Sequence, residues 1–268
     1  MSMNIKRLLT HYQAGERNFE GAILIGTKLT KAHLNQINLS TANLIKANLA
    51  NTHLEQACLI GVNLINANLS HINLRQADLT TACLSGATLI GANLSETLLV
   101  KAYLNDANLI HAQLTSANLK WANLSKAKLI SANLAFAKLN HTNFTGANLI
   151  GADLRGANLT DAELNYVNFS GTLMDETTII GNKWRLVHSL VTSGAKGRNL
   201  SYANLSEANL TGANFIQANL TGTNFTAANL SGANLSEADV RNSLFVGVMG
   251  LSQSAKMDLK ERGAIVRE

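Results

Sequence analysis

Few residues in this chain have the type and spacing for chemistry. His33 and His53 lie twenty residues apart, and imidazoles stacked at a strand spacing of about 4.8 Å could share a metal. Two ligands without a carboxylate make a poor site, and an exposed polar ladder is the better expectation. His71 and His111 recur forty residues apart with Gly91 between them, a weaker pairing still. Cys58 and Cys83 stand twenty-five residues apart with no further cysteine to complete a zinc set. Asp161 and Glu163 are neighbours without a partnered base. No phosphate-binding glycine loop, dinucleotide fingerprint, nucleophile elbow or zinc-protease helix motif occurs. The expectation is a protein that is not an enzyme, with no catalytic, cofactor-binding or metal-ligating residue.

The elements that position these residues follow from a repeat. From Phe19 to Ile179 every fifth residue is large and apolar, mostly Leu, and a second run extends from Leu200 to Val240. Two residues before each stands Ala in most repeats, and one residue before stands Asn or Asp, giving Ala-(Asn/Asp)-Leu-x-x. A step of five winds leucines round every side of a helix and alternates them across the faces of a flat strand. They share one interior only if the backbone turns once per repeat. Ala and Leu then point inward together, and Asn suits the corner because its short side chain bonds nearby backbone and tolerates turn geometry. Such a coil must stack on the next, backbone to backbone.

On these residues, exemplified by Ala203-Asn204-Leu205-Ser206-Glu207, the chain resembles the pentapeptide-repeat family. The resemblance implies an all-β solenoid, a right-handed quadrilateral β-helix with four repeats per coil and roughly ten coils. Outward residues agree with a twenty-residue coil: Ile25, Ile45 and Ile65 recur at that interval, as do Gln36, Gln56 and Gln76. The opening helix followed by Ala14-Gly15-Glu16-Arg17-Asn18-Phe19, and the Lys260-Glu261-Arg262-Gly263-Ala264-Ile265 ending, are similar to cyanobacterial members.

The pattern divides the chain. Residues 1–17 read as an N-terminal capping helix with Ile5, Leu8, Leu9 and Tyr12 on one face, and residues 18–179 as the first repeat segment. Residues 180–198 break the frame. Trp184, Val187, Leu190 and Val191 there lie at helical spacing, and the helix either packs on the solenoid or docks a partner. Residues 199–245 form a second repeat segment, and residues 246–268 a C-terminal cap with Met257 on its apolar side. Caps at both ends favour a monomer.

Function has to come from the outer walls. Ile90, Ile110, Ile130 and Ile150 repeat at twenty on outward positions and would build an aliphatic stripe, while Trp121, Phe136 and Tyr166 also fall outside or at corners. Such a β-branched ladder can equally serve strand pairing alone. Lys101, Lys120, Lys126, Lys128 and Lys138 cluster in sequence around Trp121. The net charge of +5 argues against an acidic mimic of DNA of the kind that protects gyrase. It leaves weak nucleic-acid binding through a basic face as one alternative. The leading expectation is a protein-interaction scaffold with an unknown protein partner, contacted through Ile90, Ile110, Ile130, Ile150, Trp121 and Trp184. A second alternative is a regulatory inhibitor similar to the pentapeptide protein that influences heterocyst differentiation. No stretch reaches the ~18 apolar residues of a membrane span and no secretory signal is visible, so a cytoplasmic location is expected.

Overall fold

A computed structural model describes residues 4–268 and divides them into two compact units. One holds the chain to Glu163 together with Thr172–Ile180, and the other holds Leu164–Gly171 together with Gly181–Glu268. The partition differs from a boundary at residue 179, because eight residues of the first run group with the second unit.

Within each unit isolated parallel bridges join residues twenty apart, for example Asn38 to Cys58 and Asn199 to Asn219. A coil of four repeats therefore stacks on the next. The repeat Ala122–Lys126 shows why this sequence suits the arrangement. The Ala122 N–H closes a turn onto the Leu119 carbonyl at 3.0 Å, Asn123 donates to Ala102 in the preceding coil at 2.9 Å, and Leu124 donates to Asn143 in the following coil at 2.7 Å. Lys126 donates to Thr145 at 2.9 Å. Only the Ser125 N–H is left over, and the Asn123 Oδ1 accepts it at 3.0 Å. All five backbone donors of the repeat are thereby satisfied. Asn thus sits on the bridged face and reaches to the corner, rather than occupying the corner itself. Where Leu98 replaces it, the Val100 N–H has no acceptor among the described residues.

The last residue of each repeat lies at the corner with φ near +60°, as at Lys126 (57°) and Trp121 (64°). That is the second central position of a type II turn, closed by the N–H of the following Ala. Inside, the repeat leucines are buried along both runs and so are most of the alanines, while Ala32, Ala162, Ala203 and Ala233 are part-buried. Where Thr replaces Ala, its hydroxyl donates to a carbonyl already held in a turn, as Thr52 does to Leu29 at 2.7 Å and Thr142 to Leu119 at 2.8 Å. No buried side-chain polar atom among the described residues lacks a partner.

The frame slips earlier than the spacing suggests. Ile179 bridges Asn158 and is 54% exposed, whereas Ile180 is buried, so Ile179 is not an inward residue. The extra residue is Asp175, at a lengthened corner. Its carboxylate accepts the N–H groups of Gly156, Thr177 and Thr178 and the Thr177 hydroxyl, replacing the ladder contacts that the longer corner removes. The step from Ile180 to Leu200 is then twenty residues, the length of a coil.

Helix α1, Ile5–Gln13, is capped by the Asn4 side chain accepting the Arg7 N–H at 2.8 Å, and it buries Leu8. In the second unit, helix α2, Asn182–Thr192, buries Val187 and Leu190. Where α2 leaves the stack, the Tyr166 N–H bonds the Glu207 carbonyl at 2.8 Å. Strand β1, Leu244–Val246, is followed by helix α3, Gln253–Glu261, and strand β2, Ile265–Arg267, which pairs parallel with β1. Helix α3 turns Leu259 inward and leaves Met257 63% exposed, so Met257 is not its apolar anchor. The spacing of one methionine could not distinguish the two faces of so polar a helix.

Candidate interaction surfaces

The turn geometry puts Trp121 on a corner, where its side chain is 56% exposed. Its ring stacks on His141 of the next coil, centroids 3.9 Å apart and planes 9° from parallel. His141 Nδ1 in turn stands 3.8 Å from an Asp161 carboxylate oxygen. Leu98 and Tyr103, both exposed, bridge to Asn118 and Asn123, the residues flanking the Trp121 corner. Sequence reasoning missed this pair, although both interrupt the Asn/Asp ladder at an outward position.

Lysines gather here only in part. Lys120 adjoins Trp121, the Lys101 N–H bonds the Lys120 carbonyl at 3.0 Å, and Lys138 bridges Asn118. Lys126 lies on the next corner, and Lys128 on the face beyond, bridging Asn108 and Asn148. The five lysines are therefore not one patch, because twenty residues of coil spread close sequence neighbours round the circumference. Lys101, Lys120 and Lys138 make no ion pair among the described residues.

The isoleucine column is real in register but not fully exposed. Ile90, Ile110 and Ile130 are half-buried and Ile150 is 38% exposed. Their carbonyls accept the N–H groups of His71, Gly91, His111 and Ser131 in turn, so the column also serves the ladder. Phe136 stands 64% exposed and lies over the corner of Gly156, while Tyr166 is half-buried. In the second unit Trp184 is half-buried under the Lys183 ammonium, 4.3 Å from the ring centroid, and Lys183 also reaches the Ser206 hydroxyl at 3.3 Å. Burial lowers the Lys183 pKa, partly offset by Glu207. His188 meets Phe169 edge to face at 6.3 Å, and Arg198 holds Ser189 at 3.0 Å. Helix α2 therefore packs on coils of its own unit.

The remaining chemistry-bearing residues form ladders. His33 and His53 stack at 4.6 Å with planes 14° apart, which turns ring faces rather than lone pairs toward one another. Gln36, Gln56 and Gln76 pass amide hydrogen bonds along their column to Glu96, which also pairs with Arg75 at 2.7 Å. The Gln76 amide, with Arg75 second, holds the Glu96 carboxyl below its ordinary range. Cys58 and Cys83 are unpaired and sit in different ladders, Cys58 bridging Asp78 and Cys83 bridging Tyr103. No group of three His, Cys, Asp or Glu among the described residues could hold a metal. No described helix is long and apolar enough to cross a membrane.

A stack of twenty-residue coils with satisfied ladders and a filled apolar interior defines a β-helix. The model of the pentapeptide repeats matches residues 22–59, 57–95, 82–120, 92–129, 107–146, 127–171, 142–179 and 203–242, and the chain belongs to that family, whose members are right-handed β-helices. It is similar to HetL, a pentapeptide repeat protein involved in heterocyst differentiation regulation from Nostoc sp. strain PCC 7120. The two are 34% identical over 91% of this chain and 98% of HetL, with a TM-score of 0.48. It is also similar to Rfr23 from Cyanothece 51142, at 25% identity over 65% of this chain and 98% of that one, TM-score 0.26. QnrB1, a plasmid-mediated fluoroquinolone resistance protein, is 18% identical over 59% of this chain and 94% of its own, TM-score 0.38. No match is found among curated proteins.

Proposed function

We propose that this protein is a non-enzymatic scaffold that binds another protein through its side walls. The observation that carries this reading is that exposed Trp121 stands at a corner while exposed Leu98 and Tyr103 lie on the faces that flank it. Aromatic side chains with a polar surround are characteristic anchors of protein contacts. Ile90, Ile110, Ile130 and Ile150 extend the apolar surface of the first unit on another wall, and Trp184 belongs to the second unit. In the same reading each coil is quadrilateral, the two runs make roughly ten coils, the helices at the ends act as caps, and the protein works as a cytoplasmic monomer.

The test is affinity capture from the native cell, comparing the wild type with Trp121→Ala/Tyr103→Ala and with Ile110→Asp/Ile130→Asp. A defined partner recovered by the wild type and lost from a variant that retains its circular dichroism spectrum and melting temperature supports the scaffold. The same proteins recovered by all three would overturn it.

Similarity to HetL favours a second reading, a regulator of differentiation acting through such a contact. Weak nucleic-acid binding through Lys101, Lys120 and Lys138 is a third. It requires an affinity for single-stranded DNA that falls steeply with salt, and no affinity at low salt removes it.

A further inference from the structure

A gap in the second unit's ladder lies beside a groove. Met249 still completes the stack: its N–H bonds the Ala228 carbonyl and its carbonyl takes the Leu230 N–H, both at 2.9 Å. The chain then leaves at Gly250, forms α3, and rejoins only where the Asn242 N–H meets the Gly263 carbonyl at 2.8 Å. The face between them has no following coil. Among the described residues the N–H groups of Leu235 and Glu237 meet no acceptor, and the Ala233 carbonyl meets no donor. Arg262 from the end of α3 occupies the neighbouring carbonyls of Leu235 and Ala238, at 2.9 and 2.6 Å, and leaves these three groups free. Along this edge runs a groove of about 510 Å³, walled on its other side by Leu251, Ala255 and Leu259.

Free donors two residues apart with an acceptor two residues before the first make the pattern of a parallel ladder. We propose that the groove takes an extended segment of a partner protein, added as a strand between the Ala233–Glu237 edge and α3. One residue of that segment lies opposite Asn234, giving its N–H to the Ala233 carbonyl and taking the Leu235 N–H. The residue two further on takes the Glu237 N–H, as in other cases of strand addition to an open edge. Side chains on the helix side meet Ala255, Leu251 and Leu259, which suit small aliphatic residues. The Glu237 carboxylate accepts the Gln217 amide at 2.8 Å but has no cation among the described residues, so a Lys or Arg near that end of the segment completes the match. This surface is separate from the side walls argued above, and Ile110→Asp/Ile130→Asp leaves it intact.

The probe is a displayed library of random twelve-residue peptides selected on the full chain, with the best sequences synthesised. Binding is measured by titration and by amide hydrogen exchange, with Ala255→Trp as the variant that fills the groove. Enriched peptides that bind the wild type, bind Ala255→Trp at least tenfold more weakly, and slow exchange at the Leu235 and Glu237 amides support the proposal. Should Ala255→Trp not fold, exposed Glu237→Lys replaces it, with an expected loss of affinity for peptides carrying Lys or Arg. Several outcomes overturn it: no enrichment, equal binding to a folded variant, or unchanged exchange at those two amides. A second copy of the chain as occupant, seen as a concentration-dependent dimer abolished by Ala255→Trp, also overturns it.

Discussion

The two units absorb irregularity in opposite ways. In the first, one extra residue enters a corner, and the Asp175 side chain gathers the displaced donors so that the next bridge, Asn158 to Ile179, still forms. In the second, a whole helix leaves the stack, and the Tyr166 N–H simply finds the carbonyl of Glu207 instead. The difference teaches where the fold is strict. Faces must keep donor opposite acceptor, whereas a corner can lengthen by one residue, or the eleven-residue helix α2 can stand in for part of a coil, if something meets the freed backbone groups. The interiors differ as well. The first unit is almost uniformly Leu, but the second stacks Phe225 on Phe245 at 4.8 Å and sets Phe215 edge-on to Phe225 at 5.8 Å. Two rings stacked in one column, with Phe215 meeting them from another, give those coils a register that identical leucines do not.

Deletions test this most severely. Removing Ser125 leaves a corner of one residue, too short to turn, and pushes every later Leu of that unit out of frame. The expected result is loss of the folded first unit, a larger effect than the roughly 2–5 kcal/mol of a single buried Leu→Ala. Removing Asp175 instead restores a regular five-residue step from Met174 to Ile180, and the protein should fold with a melting temperature close to wild type. Circular dichroism and limited proteolysis of the two deletions give the comparison, and equal damage from both would show that the corner at Asp175 is not a tolerated insertion.

Glycine substitutions produce a smaller and more graded effect. Among the described residues twenty-eight that are not glycine already hold positive φ, nearly all of them at corners, so backbone freedom alone does not require glycine there. A Cβ on Gly156 would meet the Phe136 ring of the preceding coil, whereas one on Gly146 would make an ordinary contact with Lys126 Cγ at 3.7 Å. Gly146→Ala should cost about 1 kcal/mol or less, the left-handed strain being offset by a stiffer unfolded chain. Gly156→Ala should cost clearly more in thermal or urea denaturation, and Phe136→Ala in the same chain should recover the excess.

The same residues show how far the sequence could be read. The period of five is local, so inward Leu and Ala and the twenty-residue columns were accessible from spacing, whereas the corner was misassigned to Asn, which lies on the bridged face. Partners across coils were not, because Phe136 over Gly156 or Trp121 on His141 depends on which way a ring lies. The position of the slip was hidden by composition. Met174 and Ile179 continue the spacing of large apolar residues, and only burial distinguishes Ile180 from Ile179. Leu98 and Tyr103 were legible as breaks in the Asn ladder. Their place beside Trp121 became visible only once the bridges to Asn118 and Asn123 fixed the register.

The gentlest way to separate the two kinds of repair is acid. The Thr177 hydroxyl, followed by the N–H groups of Gly156 and Thr178, holds the Asp175 carboxyl at about 2, below its ordinary 3.8. A carboxyl whose folded pKa is depressed stabilises the protein fully above its unfolded value, and that contribution is lost as pH falls through the folded value. The contribution of Asp175 is therefore complete above about pH 4 and disappears toward pH 2. Asp175→Asn keeps one acceptor but carries no charge to lose, so its melting temperature should lie slightly below wild type at pH 6, with the gap closing between about pH 4 and pH 2. Asp239, held at about 2 chiefly by Arg241, titrates identically in both proteins and cancels from the difference. A gap that stays constant to pH 2 would mean that the corner is held by its backbone turn, and that the carboxylate charge contributes nothing to mending the slipped frame.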